Sequence, residues 1–166
     1  MPEFTEEDDA YLIVRRLAAH CAAHGLQASL EGYRVVRIAL DDVTCSCDAR
    51  GQRTGRKRLH EHLHEARGLE RQCRILMAGA LAESMFSPLP AESALARRDR
   101  DQARDLLVEL CGTATAAIEA ALLAQVRASL SDHSWSMAML TQRLLKAGTL
   151  NEDEIRSALR SAETSR

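Results

Sequence analysis

Apolar and polar positions alternate along most of this chain with the period of a helix. Thr5-Glu6-Glu7-Asp8 looks like a helix start, with a hydroxyl cap followed by acidic residues against the positive end of the dipole. Tyr11, Leu12, Val14, Leu17, Ala18 and Cys21 then fall on one stripe, which predicts a first helix closing at Gly25. After Glu31-Gly32 the pattern changes. Tyr33, Val35, Ile38 and Leu40 favour strand, and Val43-Thr44-Cys45 can answer across Asp41-Asp42, so one or two short strands are expected.

Helical spacing returns from about Leu59 to Phe86, with Leu69, Cys73, Leu76, Met77, Ala80 and Leu81 on the buried face and Pro88 and Pro90 as stops. A polar connection leads to a third helix over about Asp99 to Leu110, stopped by Gly112. A fourth covers about Ala114 to Leu130 and a fifth about Trp135 to Lys146. Asn151-Glu152-Asp153-Glu154 has the form of a capping box and opens the last helix, which runs to about Ala162. Gly148 allows the chain to reverse between the last two helices. A helical hairpin over about 135–162 is therefore expected, with Leu144 and Ile155 meeting in the core. Trp135, the single Trp, is expected to anchor these helices. The fold class is mainly α (α+β): one domain over 1–166, a bundle of about five to six helices with a small β element near the N-terminus.

Composition agrees with this reading. Of 166 residues, 46% are apolar, 28% charged and 3% aromatic, so the core must come from Ala, Leu, Val, Ile and Met, which suits helices. The net charge of −2 gives no global footprint for nucleic acid, and no nucleic-acid partner is expected. The basic stretch Arg50 to Arg58 reads as an exposed loop. Its Gly51 and Gly55 lack the spacing of a phosphate-binding loop, and an anion-binding patch is the alternative there. No apolar run approaches the roughly 20 residues of a membrane span. The acidic N-terminus does not have the form of a signal peptide, so a cytoplasmic location with reduced, mostly buried thiols is expected for the five Cys.

Three groups of residues could carry chemistry. His60-Glu61-His62-Leu63-His64 satisfies His-Glu-x-x-His, in which His60 and His64 share a Zn²⁺ and Glu61 is general base on the metal-bound water. The alternative is a solvated, charged helix start. His20 and His24 are also one turn apart, but Cys21 stands where that pattern has its Glu, and a half-exposed helix face is the default reading. Asp99 and Asp101 open the predicted third helix, where the dipole alone favours carboxylates; on that reading Asp99→Ala is near neutral.

With these elements placed, the chain resembles the peptidase domain of FtsH-type (AAA-protease) zinc metallopeptidases. Ala78-Gly79-Ala80-Leu81-Ala82-Glu83-Ser84-Met85-Phe86 looks like the family's Gly-Gly-Arg-Ala-Ala-Glu-Glu stretch. Asp99-Arg100-Asp101-Gln102-Ala103-Arg104 resembles its Asn-Asp-Leu-Glu-Arg-Ala-Thr stretch. Leu140 to Ile155 is similar to its closing Leu-Leu…Thr-Leu…Glu-Ile segment, and Val35 to Leu40 resembles the strand after its zinc helix. The resemblance implies an FtsH-peptidase-like fold and makes Asp99 the counterpart of the third zinc ligand. It also exposes a departure. The family's His-Glu-Ala-Gly-His follows an Ala-Tyr, whereas Ala10-Tyr11 here precedes Leu12-Ile13-Val14-Arg15-Arg16. Shifting to His20 and His24 restores both His but not the Glu.

The function expected is a peptidase-like domain that lacks the standard zinc site and acts as a non-catalytic scaffold or interaction module, with no cofactor. The alternative is an active zinc peptidase on a relocated site, with His60, His64 and Asp99 as ligands and Glu61 as base. Compatible partners are a protein or peptide, or further copies of the chain in a homo-oligomer.

Overall fold

The computed structural model of the chain describes residues 6–47, 66–89, 92–112 and 116–163. Six helices and three short strands follow in the order α1 (Glu6–Leu30), β1 (Tyr33–Ala39), β2 (Val43–Cys47), α2 (Ala66–Phe86), α3 (Ala94–Cys111), α4 (Ala116–Asp132), α5 (Ser134–Ala147), β3 (Thr149–Asn151) and α6 (Glu152–Glu163). This is the mainly α bundle with a small sheet that the periodicity predicts.

α2 is the central helix. It packs on α1 on one side and α3 on the other, with α4 also against it, while α5 lies on α1 and α6 on α5. β1 is the middle strand of an antiparallel sheet ordered β2-β1-β3. Alternation buries Tyr33 and Val35, and a register shift between Val35 and Arg37 moves the buried phase to Ile38. Residues 1–5, 48–65, 90–91, 113–115 and 164–166 lie outside the described residues, and with them His60, Glu61, His64, the basic stretch from Arg50 to Arg58 and the expected Thr5 cap. Among the described residues no single helix is long and apolar enough to cross a membrane.

Four expectations need correction. α1 does not close at Gly25. It continues to Leu30, and Gly25 is buried because a Cβ there would lie 2.2 Å from Ile38 Cδ1. That glycine serves a close helix–strand approach. The first stripe of α1 is also less buried than its periodicity suggests: Tyr11 is 57% and Val14 42% exposed, and burial is continuous only from Ala18 to Ala23 and from Gly25 to Ala28. The buried turns are built largely of alanine, which lets neighbouring elements come close. Trp135 is 55% exposed and does not anchor the C-terminal helices. Their core contacts come from Met137, Leu140 and Leu144 instead.

The fourth correction concerns α3, which begins at Ala94, five residues before the expected start. Ser93 is its N-cap, accepting a hydrogen bond from Ala96 N–H at 3.0 Å. Asp99 therefore sits in the second turn and not at an exposed helix end, and it is 3% exposed.

The C-terminal hairpin forms as expected. Gly148 takes φ 70° and donates its N–H to Leu144 O at 2.8 Å. Asn151 and Glu154 complete the capping box reciprocally, at 2.8 and 3.1 Å. Leu144 and Ile155 are both buried in the common core. The connection is more than a turn, because Thr149–Asn151 pairs with Arg37–Ala39 and brings Leu150 into the core beside Ile38.

Candidate metal centre

The buried half of α1 carries His20 and His24 on one face, one helical turn apart. α3 crosses this face at Asp99. The result is a close triangle of ligand atoms. His20 Nε2 lies 2.9 Å from Asp99 Oδ2, His24 Nε2 lies 2.9 Å from the same oxygen, and the two Nε2 atoms are 2.8 Å apart. His20, His24 and Asp99 are the described residues whose donor atoms converge in this way.

Partners behind each ring fix its orientation. His24 Nδ1 is 2.8 Å from the carbonyl oxygen of Ile75 on α2. A carbonyl only accepts, so Nδ1 carries the hydrogen and a neutral His24 has a bare lone pair on Nε2. Burial holds His24 below the usual histidine range, with the His20 charge adding to the effect. His20 Nδ1 donates to Glu83 Oε1 at 2.8 Å, which turns its Nε2 toward Asp99 as well. Burial works against a charged His20, but Asp99 and Glu83 outweigh it and the pKa is raised. Asp99 is likewise held well below the carboxylate range, because the two imidazoles outweigh its burial.

His24 Nε2 and Asp99 Oδ2 thus face each other as acceptors, and the proton on His20 Nε2 is the one hydrogen available between them. Without a proton or a cation between them these lone pairs repel, and a cation would satisfy all three donor atoms at once. Two imidazoles and one carboxylate form a borderline-soft donor set suited to zinc or a similar divalent ion. Zinc bonds of about 2.0–2.2 Å in a tetrahedron separate ligand atoms by about 3.3 Å, so the triangle needs to open by only a few tenths of an ångström. The partners on Nδ1 are of the kind that orient metal-bound histidines, one a carboxylate and one a backbone carbonyl.

Gly79 on α2 makes the room. A Cβ at this position would lie 2.3 Å from His24 Nε2 and 2.8 Å from His20 Nε2. Any side chain there would occupy the space into which the two nitrogens point. Gly79 is one helical turn from Ile75 and from Glu83, so a single stripe of α2 supplies the carbonyl, the clearance and the carboxylate.

Three protein ligands leave a fourth position, and the cluster opens on a cavity of about 290 Å³ walled by Leu40, Val43, Leu76 and Leu95, with Arg98 and Gln102 on α3. Cys21 lines the same cavity at the position where a His-Glu-x-x-His helix has its base. Burial, reinforced by Asp41 and Asp99, pushes its thiol up to about 12. The remaining carboxylates on this cavity, among the described residues, are Asp41 and Asp42 on the exposed β1–β2 turn.

Neither a protein-family model nor any curated protein matches this sequence.

The expectations for the site divide accordingly. Asp99 is a candidate ligand, buried and not exposed, and its partners in the structure are His20 and His24. His20 is 1% exposed, so this pair is no half-exposed face. Glu83 was missed as a site residue. Its signal was a carboxylate on the buried stripe of α2, seven residues after Leu76, where an apolar residue would be expected.

Proposed function

We propose that this chain is a metal-binding helical domain in which His20, His24 and Asp99 hold one divalent cation, zinc by donor chemistry. We read it as a non-catalytic, FtsH-peptidase-like scaffold or interaction module. The carrying observation is the triangle of lone-pair atoms with sides of 2.8–2.9 Å. The resemblance adds to it, since the family's third ligand corresponds to Asp99 and the shifted register uses His20 and His24. The non-catalytic reading is supported by Cys21, which stands where a His-Glu-x-x-His helix has the Glu that serves as base on a metal-bound water. The cation would tie α1 to α3, which otherwise meet mainly through α2. A groove of about 860 Å³ between α1, the end of α2 and α5, lined by Tyr11, Phe86, Met137 and Leu145, is the surface that suits a protein or peptide partner.

The test is to strip the protein with a chelator, titrate it with Zn²⁺ and assay unfolded protein substrates. One equivalent bound, a melting point that rises with zinc and no cleavage are expected. Zinc at a hundred times Kd would stabilise by about 2.7 kcal/mol. Cleavage by wild type that is lost in Asp99→Ala would replace the scaffold reading with a peptidase, and absence of binding would remove the metal reading altogether.

A further inference from the structure

Ser93 joins the two ligand-bearing helices of the metal centre through one hydroxyl. The hydroxyl donates to Glu83 Oε1 at 2.7 Å and accepts from Ala96 N–H at 3.0 Å. It has one hydrogen to give and lone pairs to receive with, so the two bonds coexist. The first leads to His20 on α1, because Glu83 Oε1 also accepts from His20 Nδ1, at 2.8 Å. The second caps α3, whose second turn carries Asp99. Glu83 is 5% exposed, and its Oε2 receives no hydrogen bond, with Arg16 Nε 3.7 Å away. Among the described residues, the hydrogen bonds that orient this carboxylate therefore arrive at Oε1, one from the His20 ring and one from Ser93.

A carboxylate oriented only by the ring it supports would turn with that ring. A second, charge-assisted bond from a donor fixed at the start of another helix gives it a reference outside α1. A helix cap alone accounts for the bond from Ala96 but not for the bond to Glu83, since capping needs an acceptor and leaves the hydroxyl hydrogen unspent. We propose that Ser93 is a positioning residue of the metal centre: its hydroxyl, anchored by the cap of α3, holds the Glu83 carboxylate that aims His20. The orientation of His20 is thereby tied to the helix that carries Asp99. This inference rests on the reading that His20, His24 and Asp99 hold a divalent cation. Ser93 is not itself a ligand and acts through Glu83.

Thr and Gly separate positioning from capping. They rank alike as N-caps, and only Thr keeps the hydroxyl. Full-length wild type, Ser93→Thr and Ser93→Gly are compared by zinc competition titration and by the visible absorption of the Co²⁺-loaded proteins, with urea melts after chelation to follow the cap. Wild type should bind one equivalent of zinc. Ser93→Thr should hold that affinity within about twofold, whereas Ser93→Gly should lose about three- to tenfold, up to the lower end of what partners behind a metal ligand are worth. The Co²⁺ bands of Ser93→Gly should also differ from those of wild type, and those of Ser93→Thr should superpose on them. In chelator the two variants should melt alike. Wild type that binds zinc while Ser93→Thr and Ser93→Gly share one affinity and one Co²⁺ spectrum would reduce Ser93 to a cap and overturn this inference alone. Wild type that takes up neither zinc nor Co²⁺ would overturn it together with the metal reading.

Discussion

The C-terminal hairpin and the His20–His24–Asp99 cluster are both assembled from helices, but over different sequence distances and by different forces. Leu144 and Ile155 are brought together by a glycine cap, a three-residue strand and a capping box, all local. His20 and Asp99 are 79 residues apart and meet only because α2 positions both α1 and α3. The hairpin is held by apolar burial, which needs nothing from solution. The cluster places three ligand atoms in contact and is favourable only with a proton or a metal ion between them. Truncating the one should therefore cost stability under all conditions. Altering the other should matter mainly through what it binds.

The largest expected effect is at Leu144, which is fully buried. Leu144→Ala should lower stability by about 2–5 kcal/mol in urea melts, by the same amount with zinc or with chelator. A loss that appeared only in chelator-treated protein would break the comparison, because it would make the hairpin depend on the site. Next in size is Glu83→Gln, which weakens the acceptor behind His20. Metal affinity should fall by about ten- to a hundredfold in a competition titration. In wild type, affinity should also fall on acidification. His20 holds its proton above the ordinary value of 6.5, and zinc must displace that proton, so the decline should begin above about pH 6.5 and steepen below it. Affinity that was flat from pH 8 to pH 5.5 would mean that His20 is not a ligand. The smallest effect is at the cap: Asn151→Ala should cost about 1 kcal/mol and leave zinc binding untouched.

The same contrast explains what could be read from the residues alone. Asn151 and Glu154 stand three apart, and Gly148 follows directly after the last periodic residue, so the hairpin is written in neighbours. The strands at Tyr33–Ala39 and Val43–Cys47 were legible from their β-favouring residues. β3 was not, because three residues carry no periodicity. Asp99 was visible as a candidate only through the family resemblance; from helix chemistry it looked like a first-turn carboxylate, since the Ser93 cap six residues upstream went unrecognised. His60, Glu61 and His64 lie outside the described residues, and among the described residues it is His20, His24 and Asp99 that converge. A His pair one turn apart specifies a shared face, but nothing local says which distant carboxylate will cross it. Gly79 and Glu83 gain meaning only once α1 is laid on α2.

The most direct test of the metal centre is the zinc content of untagged protein, purified without chelator and measured by mass spectrometry for wild type, Gly79→Ala and His24→Ala, with circular dichroism to show that each is folded. The account predicts close to one zinc per wild-type chain and close to none in either variant, because one blocks the space between the nitrogens and the other removes a ligand. Wild-type protein that takes up no zinc even when it is supplied, or variants that retain a full equivalent, would contradict it.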